Sequence, residues 1–248
     1  MRKARHVEQD EYERMAASEH RHWWYAATRW LLTDQLGPLL PAGGRFLDAG
    51  GGTGATGAWL ADRGHLVATD FEPRALPLYR EGHPEVTDLA VADIRRLPFA
   101  AHVFDTALCV TVLYHASIAS PAAAVGELAR VVRPGGYVAL MEPGVRRLYR
   151  PHDRHTHAGR RFSLRDLRRL LVSNGLEVVR ATGAYTFLVP AAAALSVIDR
   201  AGSASDLDRD QQHLAGMLPA AARAERAVLR HASVPFGLSV LAIGRVRA

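Results

Sequence analysis

Cysteine is almost missing from this chain: Cys109 is the only one in 248 residues. One thiol allows no disulfide framework, and nothing in cysteine usage argues for export. Lysine is equally scarce, with Lys3 alone, so the formal net charge of +6 rests on arginine. GC-rich coding gives that bias without any partner behind it. A nucleic-acid surface would need basic residues gathered on one face with aromatics between them. The densest runs, Arg146-Arg147 and Arg160-Arg161, instead lead into ordinary structural elements. A basic surface can still steer an anionic substrate. Long apolar runs are lacking too. The longest, Phe187 to Ile198, covers about 12 residues and is too short to span a bilayer. The opening MRKARHVEQDEYERM carries acidic residues where a signal peptide would be apolar. A soluble cytoplasmic protein is expected, without stable membrane insertion and without nucleic acid as a partner.

What is present is a regular alternation of elements, with no internal repeat or low-complexity tract. Residues 8–36 read as helical, with Trp23, Trp24, Trp30 and Leu31 spaced for a partly buried face. Strands are expected at 45–49, 65–69, 88–92, 103–111 and 137–141. Helices are expected between them at 53–63, 73–81 and 121–132, the last stopped by Pro134-Gly135-Gly136. Ser163 with Asp166 forms a capping-box pattern that opens a helix to about Ser173. A strand at 176–181, a mostly helical stretch at 185–234 and a closing strand at 236–246 complete the chain. Repeated β-α units argue for a parallel sheet covered by helices on both faces.

The chemistry concentrates where the first strand runs into Asp48-Ala49-Gly50-Gly51-Gly52-Thr53-Gly54. Glycine suits a sharp turn that lets a ligand approach without Cβ atoms in the way. Gly50, Gly52 and Ala55 also satisfy G-x-G-x-x-G/A, so a dinucleotide stays open on this loop alone. Asp48, two residues before the first glycine, is an odd neighbour for a pyrophosphate but suits a cationic ammonium or sulfonium. Asp70 ends the second strand, where a carboxylate can accept both ribose hydroxyls of either nucleotide. Asp93 ends the third, where an adenine amino group could donate to it. Ligands of open α/β sheets bind at the carboxyl ends of strands, so the three aspartates should converge on one crevice.

The stretches FLDAGGGTG, LVATDFEP, VADIRRLPF, HVFDTALCVTVLYH and ELARVVRPGGYVALMEP follow one another over residues 44–145. In that order they resemble the class I S-adenosylmethionine-dependent methyltransferases, particularly the ubiquinone/menaquinone-biosynthesis-type group. EHRHWWYAATR, HAGRRFSLRDLRRLLVSNGLEVV and PFGLSVLAIGRV also look like a bacterial subgroup of that family. The resemblance implies an α/β, Rossmann-like, seven-stranded and mostly parallel sheet whose last strand is antiparallel. It implies an N-terminal helical lid over residues 1–40, a core of 41–184 with 235–248, and a helical insertion at 185–234. The cofactor implied is S-adenosyl-L-methionine. Asp48, Ala49 and the Gly50–Gly54 backbone, with Gly52 and Gly54, would hold its methionine end. Asp70 would take the ribose, with Phe71 beside it, and Asp93 and Ile94 the adenine. Val110 and Thr111 would floor the pocket, and Arg29 of the lid would meet the methionine carboxylate. Gly51 replaces a cysteine often found there, a change expected only to loosen the loop.

S-adenosylmethionine brings its own electrophile, so the protein mainly aligns a nucleophile and excludes water. For a hydroxyl acceptor His115, after the fourth strand, is the first candidate base. Glu142, ending the fifth, is a base, a substrate anchor or a loop-capping acceptor. The loop His152–His157 holds metal-capable residues, but their spacing fits no zinc pattern; no metal is expected, and His155 is carried as a base candidate. Trp24, Tyr25, Tyr114, Tyr149 and Phe187 are the substrate-facing candidates, and the 185–198 region is an acceptor lining, a dimer face or a membrane contact. The expected partners are a small-molecule acceptor and a second copy of the chain. A nicotinamide oxidoreductase is disfavoured, since no Tyr-x-x-x-Lys occurs. A non-catalytic cofactor-binding homologue and a non-methylating use of the sulfonium, such as cyclisation, remain as alternatives.

Overall fold

Alternate residues of the central strands face opposite ways, and two separate apolar layers result. Leu47 and Ala49, Ala107 and Cys109, Val138 and Leu140, and Val240 and Ala242 all enter one layer. Phe46, Leu108, Val110, Ala139, Met141, Leu241 and Ile243 enter the other. The computed structural model describes residues 12–145, 159–191 and 217–247. Its strands are β1 (Gly44–Ala49), β2 (Gly64–Asp70), β3 (Asp88–Val91), β4 (Phe104–Val110), β5 (Val132–Pro143), β6 (Leu176–Ala184) and β7 (Ser239–Val246). They form one sheet in the order β3-β2-β1-β4-β5-β7-β6. β1 to β5 pair in parallel, and β7 runs antiparallel between β5 and β6. The expected seven-stranded, Rossmann-like α/β sheet with an antiparallel last strand is what the chain forms.

The helices are α1 (Trp23–Gln35), α2 (Ala75–Gly82), α3 (Pro121–Val131), α4 (Leu164–Ser173) and α5 (Met217–Leu229). α3 and α4 bury Ala124, Val125, Leu128, Leu167 and Leu171 in the first layer. α1, α2 and α5 bury Ala27, Leu31, Leu32, Tyr79, Ala222 and Leu229 in the second. Ser163 and Asp166 complete the capping box of α4 reciprocally. α1 and α5 are tied together by Arg226 and Arg230 donating to Asp34, and by Gln35 Nε2 donating to the Leu229 carbonyl at 2.8 Å.

Three local expectations are corrected. The N-terminal helix is broken at 19–22, where His22 caps α1 by accepting from the Trp24 amide. The stretch 53–63 is a series of turns ending in a 3-10 helix at Ala58–Asp62. Gly54 sits at φ +92, and Gly54, Gly57 and Leu60 N–H groups bond three residues back, which prevents an α-helical ladder. Pro134-Gly135-Gly136 does not stop α3, which ends at Val131. It lies in an irregular start of β5, where a Cβ on Gly136 would meet the Asp105 carbonyl at 2.4 Å. No helix among the described residues is long and apolar enough to cross a membrane.

Candidate functional site

The chain leaves β1 through Gly50 at φ +76, a conformation that L side chains avoid, and the Gly50 and Gly51 amides both donate to the Thr69 carbonyl. A Cβ on Gly50 would strike Val112 Cγ2 at 2.4 Å, so this turn passes directly against the loop after β4. Gly52, at φ +57, has only Met15 Cε near its Cβ direction, at 3.8 Å. The 12–18 segment therefore roofs a glycine backbone that is bare on that side. Ala49 is buried at the end of β1, and Gly54 closes the turn against His83 and Tyr79.

Asp48 lies beneath the loop, not on its open side. It is fully buried and its Oδ2 accepts from the Tyr79 hydroxyl at 3.1 Å. Burial raises its pKa to about 7, against the Tyr79 bond and with help from the nearby Asp70 charge. Cβ atoms on Gly51 and Gly57 would lie 2.5 and 2.0 Å from Asp48 Oδ2. Gly51 is thus a space reserved for the Asp48–Tyr79 pair, a correction to the expectation that it only loosens the loop.

Asp70 ends β2 with Oδ2 accepting from the Gly52 amide and Oδ1 from Glu72, both at 2.8 Å. It links the glycine turn to the second strand, and burial raises its pKa. Phe71 beside it is 69% exposed, a bare aromatic face at the same edge. Asp93, past β3, is held by Arg95 through Nε and Nη2, with a closest approach of 2.6 Å. Those bonds keep its pKa low. Ile94 is buried beside it. The glycine backbone, the Asp70 carboxylate, the exposed Phe71 ring and the Arg95-bound Asp93 stand at the carboxyl ends of β1, β2 and β3, a set that could hold an adenosyl ligand.

The neighbouring rim comes from β4 and β5. Val110 is buried, and Thr111 is held at φ +53 while its amide donates to the Met141 carbonyl at 2.7 Å. A β-branched residue there stores strain of about 1–3 kcal/mol. Glu142 is fully buried and receives three backbone N–H groups: Val112 at 3.1 Å and Leu113 at 2.8 Å on Oε1, and Tyr114 at 3.1 Å on Oε2. Burial pushes its pKa to about 8, against those three donors. The loop so held presents Tyr114 and His115, their rings 4.2 Å apart and both half-buried.

α1 and the residues after β6 form a further aromatic group, linked to the glycine turn through Arg29. Arg29 Nη1 donates to the Ala55 carbonyl at 2.8 Å, placing its guanidinium on the glycine turn. Trp24 stacks edge-on with Tyr25 at 5.0 Å. Trp23 is the ring that meets Tyr185 at 5.4 Å and Phe187 at 6.2 Å. Tyr185, at φ +60, has its hydroxyl 2.7 Å from Thr28 Oγ1, and Glu225 of α5 accepts from the Tyr185 and Thr186 amides. Tyr149, His155 and the rest of the His152–His157 loop lie outside the described residues, as does 195–198. Tyr79 and Gly57 were not singled out by sequence, and Trp23 was read only as part of a partly buried helix face. Only the hydroxyl of Tyr79, spaced to fall under β1, could have been suspected.

Residues 47–140 match the family described as a methyltransferase domain. A demethylmenaquinone methyltransferase of Renibacterium salmoninarum is 34% identical over 118 residues, 46% of this chain and 47% of that protein. A biotin biosynthesis bifunctional protein of Cellvibrio japonicus is 31% identical over 140 residues, 54% of this chain and 28% of that one. The chain therefore spans half or less of the length of these curated relatives. A solved structure of the complex between the Haloferax volcanii Trm112 methyltransferase activator and a methyltransferase shares the fold. Its TM-score is 0.63 at 21% identity, covering 97% of both chains.

Proposed function

We propose that this class I S-adenosylmethionine-dependent methyltransferase methylates the oxygen or nitrogen of a small molecule held between the glycine turn and the Tyr114–His115 loop. The observation that carries the reading is the Asp70 carboxylate, which bonds the bare Gly52 backbone at 2.8 Å and stands beside the exposed Phe71 ring. When bound, the cofactor supplies a methyl group activated by a sulfonium. Asp70 would accept from the ribose hydroxyls, with Phe71, Asp93 and Ile94 against the adenine and Val110 beneath. The Ala49–Gly54 backbone would cradle the methionine end, with Arg29 turning from the Ala55 carbonyl to its carboxylate. Asp48 shapes the loop from below and adds negative potential there.

On the acceptor side, Trp24, Tyr25, Tyr114 and Phe187 would exclude water. His115 would take the acceptor proton as the acceptor lone pair attacks. Glu142 acts through the 112–114 backbone as a positioning residue, because both of its oxygens are engaged there. The demethylmenaquinone relative, by its name, supports a small-molecule acceptor. Calorimetry with S-adenosylmethionine, S-adenosylhomocysteine and NADP tests the reading. Both adenosyl ligands should bind, and Asp70→Ala should weaken them by roughly 100-fold through two lost charge-assisted hydrogen bonds. Binding of NADP with neither adenosyl ligand would overturn it.

A further inference from the structure

α4 turns Leu167 and Leu171 into the core and sets Arg165, Arg168, Arg169 and Val172 on its opposite face, at i, i+3, i+4 and i+7. All four are exposed. Elsewhere arginines find carboxylates: Arg95 with Asp93, Arg130 with Glu127, and Arg226 and Arg230 with Asp34. Arg165, Arg168 and Arg169 make no ion pair among the described residues, and Asp166 on the same helix is committed to the Ser163 cap. Beside them lies an open groove of about 680 Å³ whose walls include Leu164, Val172 and Pro235. Val172 in its wall is 57% exposed, and Phe236, the residue after Pro235, is 55% exposed.

The groove also flanks the rim of the candidate site. Just before α4, the Phe162 amide donates to the Pro143 carbonyl, one residue past Glu142. The Gly144 amide donates to the Leu238 carbonyl, just beyond Phe236.

We propose that this face docks the protein on the surface of an anionic lipid bilayer. The arginines would meet headgroup phosphates while Phe236 and Val172 enter the acyl boundary, which presents the rim to molecules leaving the bilayer. A nucleic acid is disfavoured, since three cations within about one helical turn are too few to track a phosphate backbone. The proposal does not depend on the methyl-transfer reading.

Sedimentation with vesicles tests it on the full chain, using phosphatidylcholine alone and phosphatidylcholine with about one third phosphatidylglycerol. Binding is expected only to the anionic vesicles and should weaken as salt is raised past 0.1 M, where the screening length falls below about 10 Å. The triple variant R165E/R168E/R169E should lose at least roughly 100-fold in partitioning, and Phe236→Ser several-fold. Both changes sit on exposed side chains, so both variants should keep the wild-type melting temperature and S-adenosylhomocysteine affinity. Failure of the wild-type chain to bind anionic vesicles, or undiminished binding by the folded triple variant, would overturn the proposal. So would arginine-dependent binding of polyglutamate by a chain that ignores the vesicles.

Discussion

Replacing Glu142 by glutamine separates a catalytic carboxylate from one that builds the loop. In the wild-type chain the fully buried Glu142 receives the Val112 and Leu113 amides on Oε1 and the Tyr114 amide on Oε2, the Leu113 bond buried and the other two part-buried. A glutamine keeps the first two bonds through its carbonyl but turns an NH₂ toward the Tyr114 N–H. The Tyr114 N–H, whose bond is part-buried, then loses its acceptor, at a cost of about 1–3 kcal/mol. With an m-value near 3 kcal/mol/M for a chain of this size, the urea midpoint should fall by roughly 0.3–1 M. Alanine would strand all three amides, a loss comparable with the total stability of about 5–15 kcal/mol, so it is less informative. The pH dependence sharpens the test. Glu142 rises from an ordinary 4.5 to about 8 in the folded chain, so between those values the folded state holds a proton that the unfolded state has released. Its stabilisation is full below 4.5 and is lost as pH rises toward 8, by up to about 1.4 kcal/mol per unit. Glutamine does not titrate, so its deficit should be largest near pH 5 and shrink toward pH 8, with kcat reduced less than tenfold at pH 7. A kcat lowered 100-fold or more with unchanged midpoints at both pH values would make Glu142 a base and refute the positioning role.

His115→Ala should lower turnover by about 10²–10⁴-fold with cofactor binding intact, and unchanged turnover would remove His115 as the base. Gly57→Ala places a Cβ 2.0 Å from Asp48 Oδ2, so it should cost at least about 1–3 kcal/mol and lower the melting temperature by several degrees. An unshifted melting curve would mean that Asp48 is not packed as described. Asp34→Asn should loosen α5 from α1 and speed amide hydrogen exchange in both helices. Asp34 is held below its ordinary 3.8, first by the Arg226 hydrogen bond, so its stabilisation is present above that value and is lost as pH falls beneath it. At acid pH the variant and the wild-type chain should therefore converge.

The parts of the site legible in the sequence are those that a strand end dictates locally. Gly50, Gly52, Asp70 and Asp93 lie at or just past the ends of β1, β2 and β3, and parallel strands deliver their carboxyl ends to one edge whatever else the chain does. The capping box at Ser163 is legible for the same reason, since it needs only four neighbouring residues. What stayed hidden depends on contacts between elements. Residues 53–63 read as a helix because Ala and Trp there suit one, but Gly57 makes room for the Asp48 carboxylate below and Gly54 for Tyr79 and His83. Tyr79 gains its role only when α2 is laid across β1. Glu142 reads alike as a base, a substrate anchor or a loop-capping acceptor until three amides about thirty residues away are seen to converge on it. Trp24 and Tyr25 looked better placed than Trp23, because no sequence pattern reveals that Tyr185 and Phe187 return to meet Trp23.

The last contrast bears on how acceptor choice could vary. The edge formed by β1, β2 and β3 carries Asp70 and the glycine turn on backbone that the sheet fixes. The Trp23–Tyr185–Phe187 cluster instead rests on α1 and the residues after β6, held by Thr28, Asp34, Gln35 and Glu225 through hydrogen bonds outside the sheet. Side chains in that cluster can be exchanged without moving Gly52 or Asp70, because no hydrogen bond joins the two groups among the described residues. Arg29, bonded to the Ala55 carbonyl, is the crossing point. If α1 walls the acceptor as proposed, a helix bonded to the glycine turn through the Arg29 guanidinium could change that wall while the β1–β2–β3 edge stays as the sheet built it.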